Sequence, residues 1–409
     1  MYTTIFFTII GIVILSFIFE KTLDYLNLKH ILPVLPKEVE DVFDTESYRK
    51  SQLYKHENSR FSMITSTFSL ILTLLMLILG GFGWLNDLSF SLFENYIIVA
   101  LFFFGVLMFV SDILTTPFTI YETFVIEEKY GFNKTTAKIF TTDKIKSWIL
   151  GAIIGGGILS LIIWFFQLSG QYFWLLAWAA IAIFTVLMSM FYSQLIVPLF
   201  NKQTPLEEGE LKSEIQKMSV KTGFKLDNVF VIDGSKRSTK ANAYFTGLGS
   251  KKRIVLYDTL IKDLTVSEIV AVLSHEIGHY KKKHTLKGII SGLLQAGFTL
   301  FIFSLLVNNP SLSIALNVTE PNFHISLIAF GILYSPVSLV TGIFSSIISR
   351  KHEYEADNYA AEYSDANALI SALKKLSGKN LSNLTPHPLY VFFHYSHPTL
   401  IQRIKNLSK

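Results

Sequence analysis

The sequence predicts an all-α polytopic membrane protein that carries a small β-sheet outside the bilayer. Three observations lead there. Half of the 409 residues are hydrophobic and only 16% are charged, whereas soluble domains carry about 25% charged residues. The apolar residues are gathered into long runs, and a helix of about 20 such residues crosses a hydrocarbon core of about 30 Å. The strand-like segments are confined to one polar stretch late in the chain.

Seven segments are long and apolar enough to be spans: Thr3–Phe19, Phe61–Leu85, Tyr96–Leu114, Trp148–Phe166, Phe173–Val197, Gly288–Val307 and Ile325–Ile348. The first is read as a span rather than a leader, because the chain enters a charged segment at Glu20 with no small-residue cleavage site. The connecting loops test the count. Asn86–Asn95, Gln167–Tyr172 and Asn308–His324 contain no Lys or Arg, and the alternate loops are rich in Lys, most of all Lys202–Lys287. The Lys-rich loops and the chain after Arg350 therefore fall on one side, which the positive-inside rule makes cytoplasmic. The net charge of +5 is accounted for by these loops, so no nucleic-acid partner is expected. The absence of cysteine excludes disulfides, thiolate metal ligands and a cysteine nucleophile. Asp112 stands inside the third span, where it must face protein or water. It lies equally well in a cavity or at the membrane edge.

Chemistry enters at Val266–Lys283, VSEIVAVLSHEIGHYKKK. Apolar residues recur there at helical spacing with no proline. His275 and His279 are four apart and project from one helical face, where two imidazoles can share a metal ion. Glu276 stands beside them, placed to accept a proton from water. The pattern is H-E-x-x-H, short enough to recur by chance, so a third ligand matters. In SRKHEYEADNYAA (Ser349–Ala361) Glu353 and Asp357 lie four apart on one face. Glu353 would complete a set of two His and one carboxylate that leaves a coordination position open. Asp357 would hold a ligand imidazole by its free N–H. The other histidines are read as follows. His352 points elsewhere on its helix, and His284 is solvated in a basic run. His387, His394 and His397 cluster in TPHPLYVFFHYSHPTL, where one could stabilise an oxyanion. The strand candidates are NVFVIDG and RIVLYD, with KANAYFTGLG between them. A sheet beside the motif helix can offer an edge to an extended peptide, which favours a peptide substrate.

Taken together these segments resemble the type I CAAX prenyl endopeptidases, integral-membrane zinc proteases. The likeness covers most of the chain: RKSQLYKHENSRFS (Arg49–Ser62), FVIEEKYGFNKTT (Phe124–Thr136), TPLEEGELK (Thr204–Lys212), VIDGSKRSTKANAYFTGLGSKKRIVLYDTL, HEIGH, SRKHEYEAD and YSHPTLIQRI. The resemblance implies seven transmembrane helices around a water-filled chamber, and a zincin-type domain opening into it. It implies one Zn²⁺ per chain on His275, His279 and Glu353, with Glu276 as catalytic base. It also places Asn242, Ala243 and Tyr244 on the substrate-binding strand, makes His397 the C-terminal active-site histidine and aligns Arg403 with a family arginine. The chain departs from the family in a short loop between spans six and seven. Its C-terminus, IKNLSK, also lacks a dilysine pattern.

The expectation is thus a monomeric metalloendopeptidase acting on peptides or lipidated proteins at a membrane. Glu276 would take the proton of the attacking water and return it to the leaving amine. Residues 1–200 would hold spans one to five, 201–287 the sheet and motif helix, 288–349 the last two spans, and 350–409 a helical segment with the third ligand. Lys, Ile and Asn usage favours a bacterial plasma membrane over the endoplasmic reticulum. Three rival readings are a bacterial quality-control protease of the same chemistry, a transporter with a structural metal, and a non-catalytic scaffold for lipidated proteins. Neither of the last two explains why a base should accompany a full ligand set.

Overall fold

The structure is a computed structural model, and it describes residues 3–32, 34–41, 43–224, 229–247 and 253–409. Long helices α1 (Thr4–Lys29), α2 (Thr45–Ile78) and α4 (Tyr96–Tyr121) form the first part of the bundle, with α3 (Gly81–Leu92) between the last two. Then come α5 (Ala137–Leu150), α6 (Gly156–Ser169), α7 (Phe173–Leu195) and the short α8 (Val197–Phe200). Among the described residues six stretches are long and apolar enough to cross a membrane. One of them, Ala137–Phe200, has 64 residues, about 96 Å if straight, three times a bilayer core. It breaks at Gly170, where φ is 53°, and Phe166 meets Phe173 edge-on across the turn. The expected fourth and fifth spans are its two arms. Leu15, Met108, Leu168, Ile183 and Phe344 are each more than 60% exposed, which water would penalise at about 25 cal/mol per Å² and lipid tails would not. Two adjoining cavities of about 370 and 300 Å³ share Asn58 and Ser62, and Asp24, Lys55 and Glu122 also line them.

One boundary differs from the sequence reading. Span two was expected to reach Leu85, but its helix ends at Ile78 and Gly80 turns the chain with φ 70°. The apolar residues beyond belong to α3, whose Phe82 and Leu85 pack with Phe6, Ile9 and Leu312. Gly83 lets α3 lie against the backbone at Asn317, where a Cβ would come within 2.7 Å of the carbonyl oxygen. Hydropathy cannot distinguish such a buried cap from a span. Asp112 pairs with Lys144 of α5 at 2.8 Å and accepts from Trp148 Nε1 at 2.9 Å, so it ties neighbouring helices together.

The polar layer contains α9 (Glu210–Thr222) and a four-stranded sheet of β1 (Gln203–Pro205), β2 (Val229–Ile232), β3 (Ala243–Thr246) and β4 (Arg253–Tyr257). The strand order is β1-β2-β4-β3, with β2 and β4 parallel and the outer pairs antiparallel. The two expected strands are β2 and β4, although Asn228 and 248–252 of the quoted motifs lie outside the described residues. Next follow α10 (Asp258–Asp263), α11 (Val266–Lys281), α12 (His284–Leu306), α13 (Pro310–Ala315) and the 41-residue α14 (Phe323–Tyr363). The chain closes with α15 (Ala366–Lys379), α16 (Pro388–His394) and α17 (Leu400–Leu407). Ile254 and Leu256 of β4 share a core with Ile215 of α9 and with Ile269, Leu273 and Ile277 of α11. The SKRSTK segment clamps this layer to the bundle. Arg237 donates to both oxygens of Asp143 at 2.7 and 2.9 Å and to the Phe200 carbonyl at 2.7 Å. Lys240 reaches Glu127 at 2.8 Å and Tyr54 at 3.1 Å.

Candidate active site

The motif helix α11 starts at a capping box: Thr265 accepts from the Glu268 N–H, and Glu268 accepts from the Thr265 N–H. Glu268 is buried and also accepts from Ser371 at 2.6 Å and Lys375 at 2.9 Å of α15. These bonds hold its carboxyl below the usual carboxylate range, although burial alone would raise it. Along the helix Gly278 meets α14 so closely that a Cβ would sit 3.1 Å from Ala356 Cα and from Tyr359 Cβ. Only backbone and small side chains fit at this crossing, and the residues flanking it come within ligand range of each other.

His275, His279 and Glu353 converge there, with one donor atom from each lying within 4.8 Å of the others. The two Nε2 atoms are 3.1 Å apart, and Glu353 lies 3.5 Å from the first and 3.2 Å from the second. Glu353 Oε2 is buried and accepts no hydrogen bond among the described residues, although Arg403 Nη1 stands 3.6 Å away, so the oxygen keeps lone pairs that a further cation could use. Asp357, fully buried, takes His275 Nδ1 at 2.9 Å, and Arg403 of α17 grips Asp357 with Nε at 2.9 Å and with Nη2. Burial and Arg403 oppose a charge on His275, but Asp357 and Glu353 outweigh them and raise it to about 9. A set of two imidazoles and one carboxylate fits a divalent metal with an open position.

Glu276 and His279 face a cavity of about 670 Å³ that Phe245, Lys287, Ser345 and Ser349 also line. β3 lies at the edge of the sheet beside α11. Asn242 is exposed, and its carbonyl accepts from the Tyr257 N–H at 3.1 Å. Along β3, Ala243 and Phe245 pack toward the α11 core, while the Tyr244 ring turns the other way, against Tyr257. Phe245 is thus the strand's cavity-lining side chain, and the sequence reading passed over it. His397 places Nε2 3.3 Å from Glu353 Oε1 and leaves 64% of its side chain exposed. The other two C-terminal histidines are engaged elsewhere, His387 in capping α16 and His394 with Glu20 at 3.2 Å. The reading of His284 as solvated is corrected. It is 5% exposed, with Nδ1 3.0 Å from His279 Nδ1, and His352 stacks on its ring at 3.9 Å. Burial depends on the turn between α11 and α12, which a basic composition does not disclose. Glu268 also carried no signal beyond its capping position.

Comparison with known proteins agrees with this geometry. Residues 24–202 match the family model described as CAAX prenyl protease N-terminal, five membrane helices, and residues 205–409 match peptidase family M48. A CAAX prenyl protease 1 homolog of Arabidopsis thaliana is 36% identical over 97% of this chain and 96% of its own. CAAX prenyl protease 1 of Saccharomyces cerevisiae is 36% identical over 97% and 94%. The crystal structure of S. mikatae Ste24p superposes with a TM-score of 0.93 at 35% identity, covering 100% of both chains. These relatives are eukaryotic and lend no support to a bacterial origin. The chain is a multi-pass membrane metalloendopeptidase that belongs to peptidase family M48, of the CAAX prenyl protease type.

Proposed function

We propose that this metalloendopeptidase uses one Zn²⁺ held by His275, His279 and Glu353, and cleaves near the C-terminus of prenylated CAAX polypeptides. The observation that carries the reading is the convergence of three donors around a buried Glu353 oxygen that accepts no hydrogen bond, beside a cavity onto which Glu276 opens. Zinc, when bound, supplies Lewis acidity toward the scissile carbonyl and lowers the pKa of the attacking water. Glu276 takes the proton of that water and delivers it to the leaving amine. His397, at the exposed rim of the site, donates to the carbonyl oxygen as it gathers charge. Asp357, backed by Arg403, keeps His275 in the tautomer that presents Nε2. The peptide adds to the free edge of β3, where Asn242, Ala243 and Tyr244 supply main-chain groups. A prenyl chain adds affinity of about 0.8 kcal/mol per buried CH₂.

The substrate class is carried over from the relatives, which are named as CAAX prenyl proteases. The enzyme acts as a monomer without nucleic acid, and its polar layer and C-terminus face the cytoplasm by the distribution of Lys. The four-segment division at 200, 287 and 349 follows the same reading. The preference for a bacterial plasma membrane rests on residue usage.

Purified protein should carry one zinc per chain, and Glu353→Ala should lose it; full zinc in that variant would remove Glu353 from the ligand set. A farnesylated CAAX peptide should be cut faster than its unlipidated twin, and a casein-like protein should resist. Cleavage of casein alone would overturn the enclosed site, and equal cleavage of both peptides would overturn lipid recognition. Single cysteines placed in 202–287 and in 308–324 of this cysteine-free chain should label from opposite sides.

A further inference from the structure

His284 begins α12 immediately after Lys283, whose backbone is left-handed at φ 59°, a conformation unfavourable for a residue with a Cβ. This turn folds α12 back so that the His284 ring meets His279. His279 Nε2 faces His275 and Glu353, and its Nδ1 is 3.0 Å from His284 Nδ1. His284 Nε2 in turn lies 2.9 Å from Glu355 Oε2, and His352 stacks on the His284 ring with the planes 9° apart. His352 and Glu355 are three apart on α14 and so share a face, adjacent to the one that carries Glu353 and Asp357.

Hydrogen-bond chemistry sets the direction of this chain. A neutral His279 that offers Nε2 to a metal carries its proton on Nδ1, so His284 must accept there. His284 then carries its own proton on Nε2 and donates it to Glu355. We propose that His284, oriented by Glu355 and by the stacked His352, is the positioning residue for His279, the counterpart of what Asp357 and Arg403 do for His275. The proposal rests on the metal-centre reading above. Imidazole ligands depend on such a partner for ring orientation and basicity, and its loss weakens metal binding by about 10- to 100-fold.

The test measures the zinc dissociation constant of full-length protein in detergent, by competition with a chromogenic chelator, for wild type, His284→Ala, His284→Gln and Glu355→Gln. Visible spectra of the Co²⁺-loaded proteins report ligand geometry. His284→Ala should bind zinc about 10- to 100-fold more weakly and shift the Co²⁺ bands. His284→Gln, which can accept through its carbonyl and donate through its amide, should recover most of the affinity. Glu355→Gln, at a partly exposed position that threatens the fold least, should show an intermediate loss. Wild-type affinity and an unaltered Co²⁺ spectrum in His284→Ala would overturn the relay alone. If that variant does not fold, unchanged affinity and spectrum in Glu355→Gln would overturn it instead. Failure of the wild type to bind zinc would overturn the metal-centre reading and the relay with it.

Discussion

The two sides of the candidate site are built differently. On the closed side His275, Glu353, Asp357 and Arg403 form a buried network in which the carboxylates and the guanidinium answer one another. On the open side Glu276 and His279 face a cavity of about 670 Å³, and His397 stands mostly in solvent. A hydrolytic site needs both. Buried, mutually paired charges cannot be moved cheaply, so they fix geometry, whereas groups that exchange protons with water and substrate must be reachable. The difference implies that damage to the closed side should appear first in metal content and stability. Damage to the open side should appear in turnover.

The sharpest test of that division is Glu276→Gln. Hydrolysis should fall by about 10²- to 10⁴-fold with zinc content and unfolding temperature unchanged; normal turnover would mean that another group is the base. Arg403→Ala is the corresponding break on the closed side. It leaves the buried Asp357 carboxylate without its main cationic partner, and should cost about 3 to 5 kcal/mol of stability, read by denaturant unfolding alongside loss of zinc. A stable, zinc-replete Arg403→Ala protein would dissolve the distinction between the two sides. His397→Ala should lower kcat by about 10²- to 10³-fold, as loss of an oxyanion donor does, with zinc retained. If zinc is lost instead, His397 belongs to the closed side.

The smallest effect belongs to the base of the motif helix. Glu268→Gln should cost about 1.5 to 3 kcal/mol, the range for hydrogen bonds to a charged group. The pH sign follows from its lowered pKa. The stabilisation from Glu268 is fully present above the ordinary carboxylate pKa and is lost as pH falls through the lowered one. The stability gap between wild type and Glu268→Gln should therefore close in acid, and a gap independent of pH would contradict the ion pair with Lys375.

Much of this architecture was legible in the chain, for identifiable reasons. Long apolar runs mark helices because an unpaired backbone cannot exist in hydrocarbon. The i, i+4 spacing of His275 with His279, and of Glu353 with Asp357, places each pair on one helical face from local geometry alone. The resemblance then extended that reading to β3 and to Arg403. Other features stayed hidden. α3 reads as the end of a span, because burial against α13 and burial in lipid select the same side chains. β1, three residues at the sheet edge, is too short for alternation to register.

The sequence by itself therefore determined the membrane helices and the residue types gathered in the candidate site, both of which depend on residue identity within a turn or two of backbone. Only the tertiary structure decided that Glu353 meets His275 across 78 positions of chain, through a crossing that Gly278 keeps narrow. It alone brought Arg403 onto Asp357, set Phe245 rather than Tyr244 toward the cavity and buried His284 against His279. Those contacts follow from helix crossings and one left-handed turn, and such long-range packing leaves no periodic trace in the residues it joins.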